Sequence, residues 1–207
     1  MNINKLPNII PIFPLSGALL LPNGNLPLNI FEPRYIEMID YAMKTDKIIG
    51  MIQENPKNIK DNRLYNIGCL GKITQYNETE DGRYLINLNG IIRFKLLKEE
   101  NSSHKFRKLK VDYSDFKKDL NKNFEDTFDK NKFLDEAKIY LSKNNIHFDW
   151  NTLKNVGETI LITSLASICP FSVAEKQMIL ECIDIDDIPK TILSLFKMSY
   201  EQSDLVN

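Results

Sequence analysis

The sequence predicts an α+β fold in which a β-rich first half, a small closed or partly closed barrel, is followed by a helical second half. Up to Tyr113 the chain consists of short apolar or alternating runs punctuated by Pro, Asn-Gly and Asp-Gly, the pattern of short strands joined by tight turns. From Phe133 onward apolar residues recur at three- and four-residue spacing, the period of helices with one buried face. Between them lies "FKKDLNKNFEDTFDKNK", polar, charged and weakly patterned, which reads as a linker. These observations divide the chain into a β-rich subdomain at 1–118 and a linker with helical subdomain at 119–207.

The elements follow in order. "IIPIFPL" is apolar and proline-punctuated; each proline holds the preceding residue in extended geometry, so this is a buried strand. Asn23-Gly24 is a turn dipeptide ahead of "LPLNI". At "FEPRYIEMIDYAM" the period changes: Tyr35, Met38, Ile39, Ala42 and Met43 share one helical face. Pro33 fits the first turn, Glu32 is placed to cap the free amides, and the helix is expected to end near Thr45. "KIIGMIQ" is a further strand, and the long apolar arms around Asp81-Gly82 predict a hairpin. Gly90, inside the second arm, signals a bulge or sharp bend. "HKFRKLKVDY" is the last strand. Phe133, Leu134, Ala137, Tyr140 and Leu141 form one helical face; Asp149 caps a longer helix running to Pro170; "SVAE" is a capping box. Asp187 and Pro189 open the final helix, which carries Ile192, Leu195, Phe196 and Tyr200.

Composition excludes several function classes. Among 207 residues, 27 Lys and Arg face 28 Asp and Glu, a net charge of −1. A dedicated DNA-binding protein needs a basic excess to neutralise phosphates. Cys69, Cys169 and Cys182 are far apart, without metal-ligand spacing, and read as buried thiols of a reducing compartment. The apolar N-terminal run is interrupted by Pro11, Pro14 and Pro22, which argues against a signal peptide or membrane span and for a cytoplasmic protein. The two histidines, His104 and His147, are distant in sequence and lack the HExxH spacing, so zinc and Ser-His-Asp chemistry have little material.

Three segments imitate functional motifs. Residues 68–74 ("GCLGKIT") resemble a phosphate loop, but Asn66 stands where a glycine is required and Ile73 where Ser or Thr would meet magnesium. "DIDD" at 184–187 lacks the glycine and distal glutamate of a calcium loop, so helix capping accounts for it better. Lys105, Arg107 and Lys108 flank Phe106, an arrangement that can stack and neutralise RNA; the same alternation describes any half-exposed strand.

The run "IPIFPLSGALLLPNGNLPLNIFEPRYIEMID" strongly resembles the opening of the Lon protease N-terminal, or substrate-binding, domain family. The resemblance continues through Gly68, Asp81-Gly82-Arg83, Gly90 and Arg93-Phe94, and through "SLASICPFSVAEKQMILE", covering nearly the whole chain. Asn29 departs from the pattern, standing where a histidine is common. The resemblance implies a PUA-like β-barrel followed by a helical bundle and a role in recognising protein substrates or partners. Because the chain stops at Asn207, it implies a free-standing, non-enzymatic form without the ATPase and protease domains, and without cofactor or metal.

The expected function is therefore a protein- or peptide-binding module, an adaptor for unfolded or exposed apolar segments, with a PUA-like RNA-binding module as the alternative. A small-molecule site in the barrel mouth ranks third and an enzyme last. For the first reading the candidate lining is Phe31, Tyr35, Met38 and Met51, forming an exposed apolar patch where barrel and helices meet. Glu32, Pro33 and Arg34 frame the strand-to-helix corner, with Arg34 expected to pair with a barrel carboxylate. For the alternative the candidates are Lys105, Arg107 and Lys108.

Overall fold

In the computed structural model, residues 3–55, 57, 63–121, 124, 128–147 and 149–204 are described, with side chains as far as Ser199. The apolar runs of the first half form β1 (Ile9–Pro14), β2 (Asn25–Ile30), β3 (Ile48–Glu54), β4 (Leu64–Glu78), β5 (Tyr84–Glu100) and β6 (Lys108–Asp112). The helix α1 (Pro33–Met43) stands between β2 and β3. The helices α2 (Lys130–Lys143), α3 (Trp150–Asn155), α4 (Glu158–Ile168), α5 (Val173–Leu180) and α6 (Ile188–Asp204) follow. This is the mixed order that the change of period predicts.

The strands form one sheet in the order β2-β5-β4-β3-β1-β6. β5 is long enough to serve two partners on one side: Tyr84 to Asn89 pair with β2, and Lys95 to Glu100 pair with β6. Because β6 also pairs with β1, the hydrogen bonding runs through β1, β3, β4, β5 and β6 and returns to its start. Every strand of that ring contributes to one buried cluster, which includes Ile10, Ile12, Ile52, Leu70, Phe94 and Leu109. A second cluster joins the opposite faces of the same strands (Phe13, Met51, Cys69, Leu88) to α1 and the later helices (Met38, Phe133, Leu165, Phe196). β3 is thus buried on both faces, which is why it reads as a continuous apolar run and not as an alternating one.

The hairpin is β4–β5, with Gly82 at φ +77° in its turn. The expected irregularity at Gly90 is a bulge: Leu70 faces Ile92 but Gly71 faces Gly90, leaving Ile91 as the extra residue. A Cβ on Gly90 would lie 2.0 Å from the Leu21 carbonyl oxygen. Only glycine lets the loop after β1 lie so close, tied by Asn23 N–H to Gly90 O (2.8 Å) and Gly90 N–H to Gly24 O (2.8 Å).

Several expectations change. α1 ends at Met43, two residues early. β6 begins at Lys108 rather than His104, because the preceding residues turn aside to stack His104 on Phe106 at 4.7 Å and to lay Phe106 against Tyr41 of α1. The helix expected from Trp150 to Pro170 is two helices. Val156 is extended, Gly157 is the N-cap of α4, and Lys130 Nζ donates to the carbonyls of Lys154 (3.0 Å) and Val156 (2.7 Å) exposed by the break. The expected linker is partly structured. Ser114–Leu120 forms 3-10 turns that bury Phe116 and Asp119, and Phe124 is buried, while 122–123 and 125–127 lie outside the described residues. The face of α2, the Asp149 cap and the Ser172–Glu175 capping box stand as expected. Ile192, Leu195 and Phe196 of α6 are buried; the Tyr200 side chain lies outside the described residues.

Candidate functional site

The strand-to-helix corner at residues 26–35 is built from β2 and the first turn of α1. β2 has only β5 as a strand neighbour among the described residues. Gly90 N–H bonding to Gly24 O places Leu26, Leu28 and Ile30 at the hydrogen-bonded pairs with β5 and turns the backbone groups of Asn25, Pro27 and Asn29 outward. Pro27, which has no N–H, sits where that loss does not interrupt the ladder.

Phe31 follows on the same parity as Pro27 and Asn29 and is 66% exposed. Glu32 is the N-cap residue of α1, and Pro33 occupies the first turn. The Glu32 side chain makes no cap hydrogen bond. It pairs instead with Arg34, whose Nη2 and Nε lie 2.9 and 3.0 Å from Oε2. Arg34 therefore does not reach a carboxylate of the ring: its guanidinium lies over the Tyr35 ring at 4.5 Å, and the pair is largely exposed. Such a pair orients two side chains and adds little stability.

Of the four candidate lining residues only Phe31 is at the surface. Tyr35 is 6%, Met38 0% and Met51 3% exposed, so the structure corrects the expectation of a shared exposed patch. The physical reason is the docking of α1: its apolar face covers β1 and β3, with Tyr35 against Phe13 at 4.3 Å, and Met51 belongs to the strand buried on both faces. Burial, partly offset by the Arg34 charge, raises the Tyr35 phenol above its ordinary value.

The surface next to Phe31 is the outer face of β2, β5 and β4. A shallow depression of about 630 Å³ runs across it, with Pro27 and Asn29 on β2, Leu85 and Asn87 on β5, and Gln75 and Asn77 on β4. These align in register, Asn29 with Leu85 and Asn77, and Pro27 with Asn87 and Gln75. No charged side chain lines it. Its amides are cross-linked: Asn87 Nδ2 donates to Asn25 Oδ1 (3.2 Å) and Thr74 Oγ1 (3.3 Å), and Asn89 Nδ2 donates to Asn25 Oδ1 (3.3 Å). Sequence reasoning missed this face, since asparagines scattered over three strands carry no motif until the register aligns them. Chemically it offers amide donors and acceptors beside exposed apolar groups, and at its Asn29–Leu85 end it borders the charged Glu80, Asp81 and Arg83 of the hairpin turn.

Two of the three basic candidates, Arg107 and Lys108, have their charged groups engaged. Arg107 forms a bidentate pair with Glu99, Nε to Oε1 at 2.9 Å and Nη2 to Oε2 at 2.8 Å. Lys108 Nζ lies 4.0 Å from the Tyr41 ring centroid, and His104 Nδ1 lies 3.1 Å from Glu37. Lys105 donates its backbone N–H to the same Glu37. Acids accompany the basic groups, so no continuous cationic groove forms here. The loop at 68–74 is an internal strand segment with no helix following it, and Asp184 acts as a cap, accepting from Asp186 N–H at 3.2 Å. Among the described residues no cluster of His, Cys, Asp or Glu is placed to hold a metal ion, and no helix is long and apolar enough to cross a membrane.

Also missed were the polar groups that join the two halves. Arg93 on β5 is 1% exposed and forks onto Asp119, Nε to Oδ2 at 2.9 Å and Nη2 to Oδ1 at 2.8 Å. Its Nη1 donates to the carbonyls of Leu180 (3.2 Å) and Cys182 at the end of α5. Gln53 of β3 bonds Gln177 of α5 (3.0 Å), and Lys176 Nζ reaches Gly17 O at 2.7 Å. Arg93 appears in the sequence resemblance only as part of a motif, and Asp119 only as one acid of a polar stretch.

Comparison with known proteins agrees with this geometry. The family model of the ATP-dependent protease La (LON) substrate-binding domain matches residues 9–197. Lon protease of Bacillus thuringiensis is 24% identical over 97% of this chain and 25% of its own length. Lon protease of Syntrophus aciditrophicus is 26% identical over 87% of this chain and 24% of its own. The chain thus spans about a quarter of the length of these relatives. The N-terminal domain of a Mycobacterium avium complex Lon protease superposes with a TM-score of 0.64 at 13% identity, covering 91% of this chain and 98% of that one. The Lon N-terminal domain protein of Xanthomonas campestris gives 0.59 at 18% identity, with 91% and 97% covered. The family match reaches from β1 into α6, and the chain belongs to the LON substrate-binding domain family.

Proposed function

We propose that this chain is a non-enzymatic polypeptide-binding module, an adaptor that holds unfolded or extended segments against the β2–β5–β4 face with Phe31 as the apolar anchor. In this reading the ring of strands is a PUA-like barrel and the later helices a bundle. The subdomains at 1–118 and 119–207 act as one cytoplasmic module, with other proteins as partners. The observation that supports it most is Phe31: a large aromatic side chain, 66% exposed, just past the end of β2, whose Pro27 and Asn29 line the amide-rich depression, with Glu80, Asp81 and Arg83 of the hairpin turn adjoining Asn29 and Leu85. Aromatic anchors surrounded by adaptable polar contacts dominate many protein interfaces. The family match supports the substrate class, since the matched family is named for binding substrate.

The size of the anchor bounds the effect. A phenylalanine offers about 200 Å², so two-thirds exposure leaves about 130 Å² to bury, with a ceiling of about 3 kcal/mol at ~25 cal/mol per Å². Losses on association lower the share that is realised. Phe31→Ala is expected to weaken binding of a fluorescently labelled, reduced and alkylated unfolded protein by about tenfold to a hundredfold. Its melting temperature should stay unchanged. Equal affinity of wild type and Phe31→Ala in fluorescence anisotropy would refute this site.

A further inference from the structure

A second groove, sharing no lining residue with the first depression, lies between Tyr65 on β4 and the C-terminal end of α5. Its volume is about 610 Å³, within the size range of ligand-accepting clefts. Two apolar side chains stand at it, Met178 at 52% exposure and Ile183 at 90%, the most exposed of the large apolar residues described. A single exposed isoleucine is ordinary. What distinguishes this one is how firmly its backbone is held outward. The carbonyls of Leu180 and Cys182 are both bound by the buried Arg93 guanidinium. On the other side Ile185 is buried and Asp184 caps the next turn while pairing with Lys118. The turn cannot fold Ile183 inward without breaking those bonds, so the apolar tip is presented preorganised, which lowers the ordering cost of binding.

The charge of the groove selects its occupant. Its charged lining residues are Glu181 and Asp187, both acidic. Lys190 pairs with Asp187 at 3.0 Å, but both side chains are largely exposed, 66% and 51%, so a partner cation can compete. Glu181 Oε1 accepts only an amide hydrogen, from Gln177 at 2.7 Å. We propose that this groove binds a cationic, apolar polypeptide segment, whose Leu- or Ile-like side chain packs on Met178 and Ile183 while a neighbouring Lys or Arg meets Glu181 and Asp187. The site is separate from the Phe31 face and selects a different class of segment, so either can fail alone.

The test uses the full chain and three labelled peptides: one alternating leucine with lysine, one with every lysine replaced by glutamate, and one with every leucine replaced by serine. Fluorescence anisotropy should show the leucine–lysine peptide binding at least about tenfold more tightly than either of the others, with affinity falling as salt is raised. Ile183→Ser and Met178→Ser should each weaken it several-fold without changing the melting temperature. Glu181→Lys should weaken it and reduce the salt dependence, and Phe31→Ala should leave it unchanged. Equal binding of the lysine and glutamate peptides, or no loss in Ile183→Ser and Met178→Ser, overturns the proposal. So does loss of this binding in Phe31→Ala.

Discussion

Replacing Arg93 by Met should be among the most damaging changes that leave the side-chain volume nearly intact. Arg93 and Asp119 are 1% and 0% exposed at their side chains, and the guanidinium also serves the Leu180 and Cys182 carbonyls and lies over the Phe116 ring at 4.5 Å. Methionine preserves packing but strands the Asp119 carboxylate in the interior, where only the Arg93 backbone N–H (2.9 Å) still reaches it. Removing one partner of a buried ion pair costs about 3–5 kcal/mol, mostly the desolvation of the charge left behind. For a chain of this length each kcal/mol lowers the melting temperature by roughly 2–4 °C, so a fall of roughly 6–20 °C is expected. Asp119→Leu should be comparably harmful, whereas the double variant, which removes both charges, should recover much of the loss. The assay is urea unfolding followed by circular dichroism and by fluorescence of Trp150, the sole tryptophan, which opens α3. Since Arg93 ties the end of α5 to the strands, the Trp150 transition of the single variant should precede the dichroism transition. A loss under about 1 kcal/mol in Arg93→Met, or strictly additive single and double variants, would refute the argument that the pair acts as a unit.

Two further outcomes follow from the same geometry. Gly90→Ala places a methyl group 2.0 Å from the Leu21 carbonyl, a backbone clash that no rotamer relieves; the variant should melt far below wild type or fail to accumulate as folded protein, measured by thermal dichroism. Alkaline pH should destabilise the fold through its thiols. Burial raises the Cys69 thiol and pushes Cys169 up to about 12 from an ordinary 9.0. Above pH ~9 the unfolded chain releases these protons while the native state retains them, so stability is complete below that pH and declines towards pH ~12. Cys169→Ala should flatten the decline in urea titrations across this range, and an unchanged slope would contradict it. Lys176, lowered by desolvation, acts in the opposite sense just below its ordinary value.

What the sequence determined by itself were the features written in local chemistry. The Asp81-Gly82 hairpin, Pro33 at the start of α1, the capping box at Ser172 and the buried face of α2 each depend on residues close in the chain. The family resemblance was legible for the same reason, because the run at 26–35 is a contiguous corner of the fold. Tertiary structure decided the rest. Tyr35, Met38 and Met51 share apolar chemistry with Phe31, and only the docking of α1 on β1 and β3 separates three core residues from one surface anchor. The amide-lined face exists only once the register of β2, β5 and β4 aligns residues some sixty positions apart, such as Asn25 and Asn87 at |i−j| = 62. Asp119 looks like any acid in a polar stretch until Arg93 meets it, and Arg107 looks available until Glu99 is seen paired with it. A charge or an apolar side chain has no fixed meaning along the chain. Burial and the partner brought from elsewhere decide whether it packs, pairs or binds.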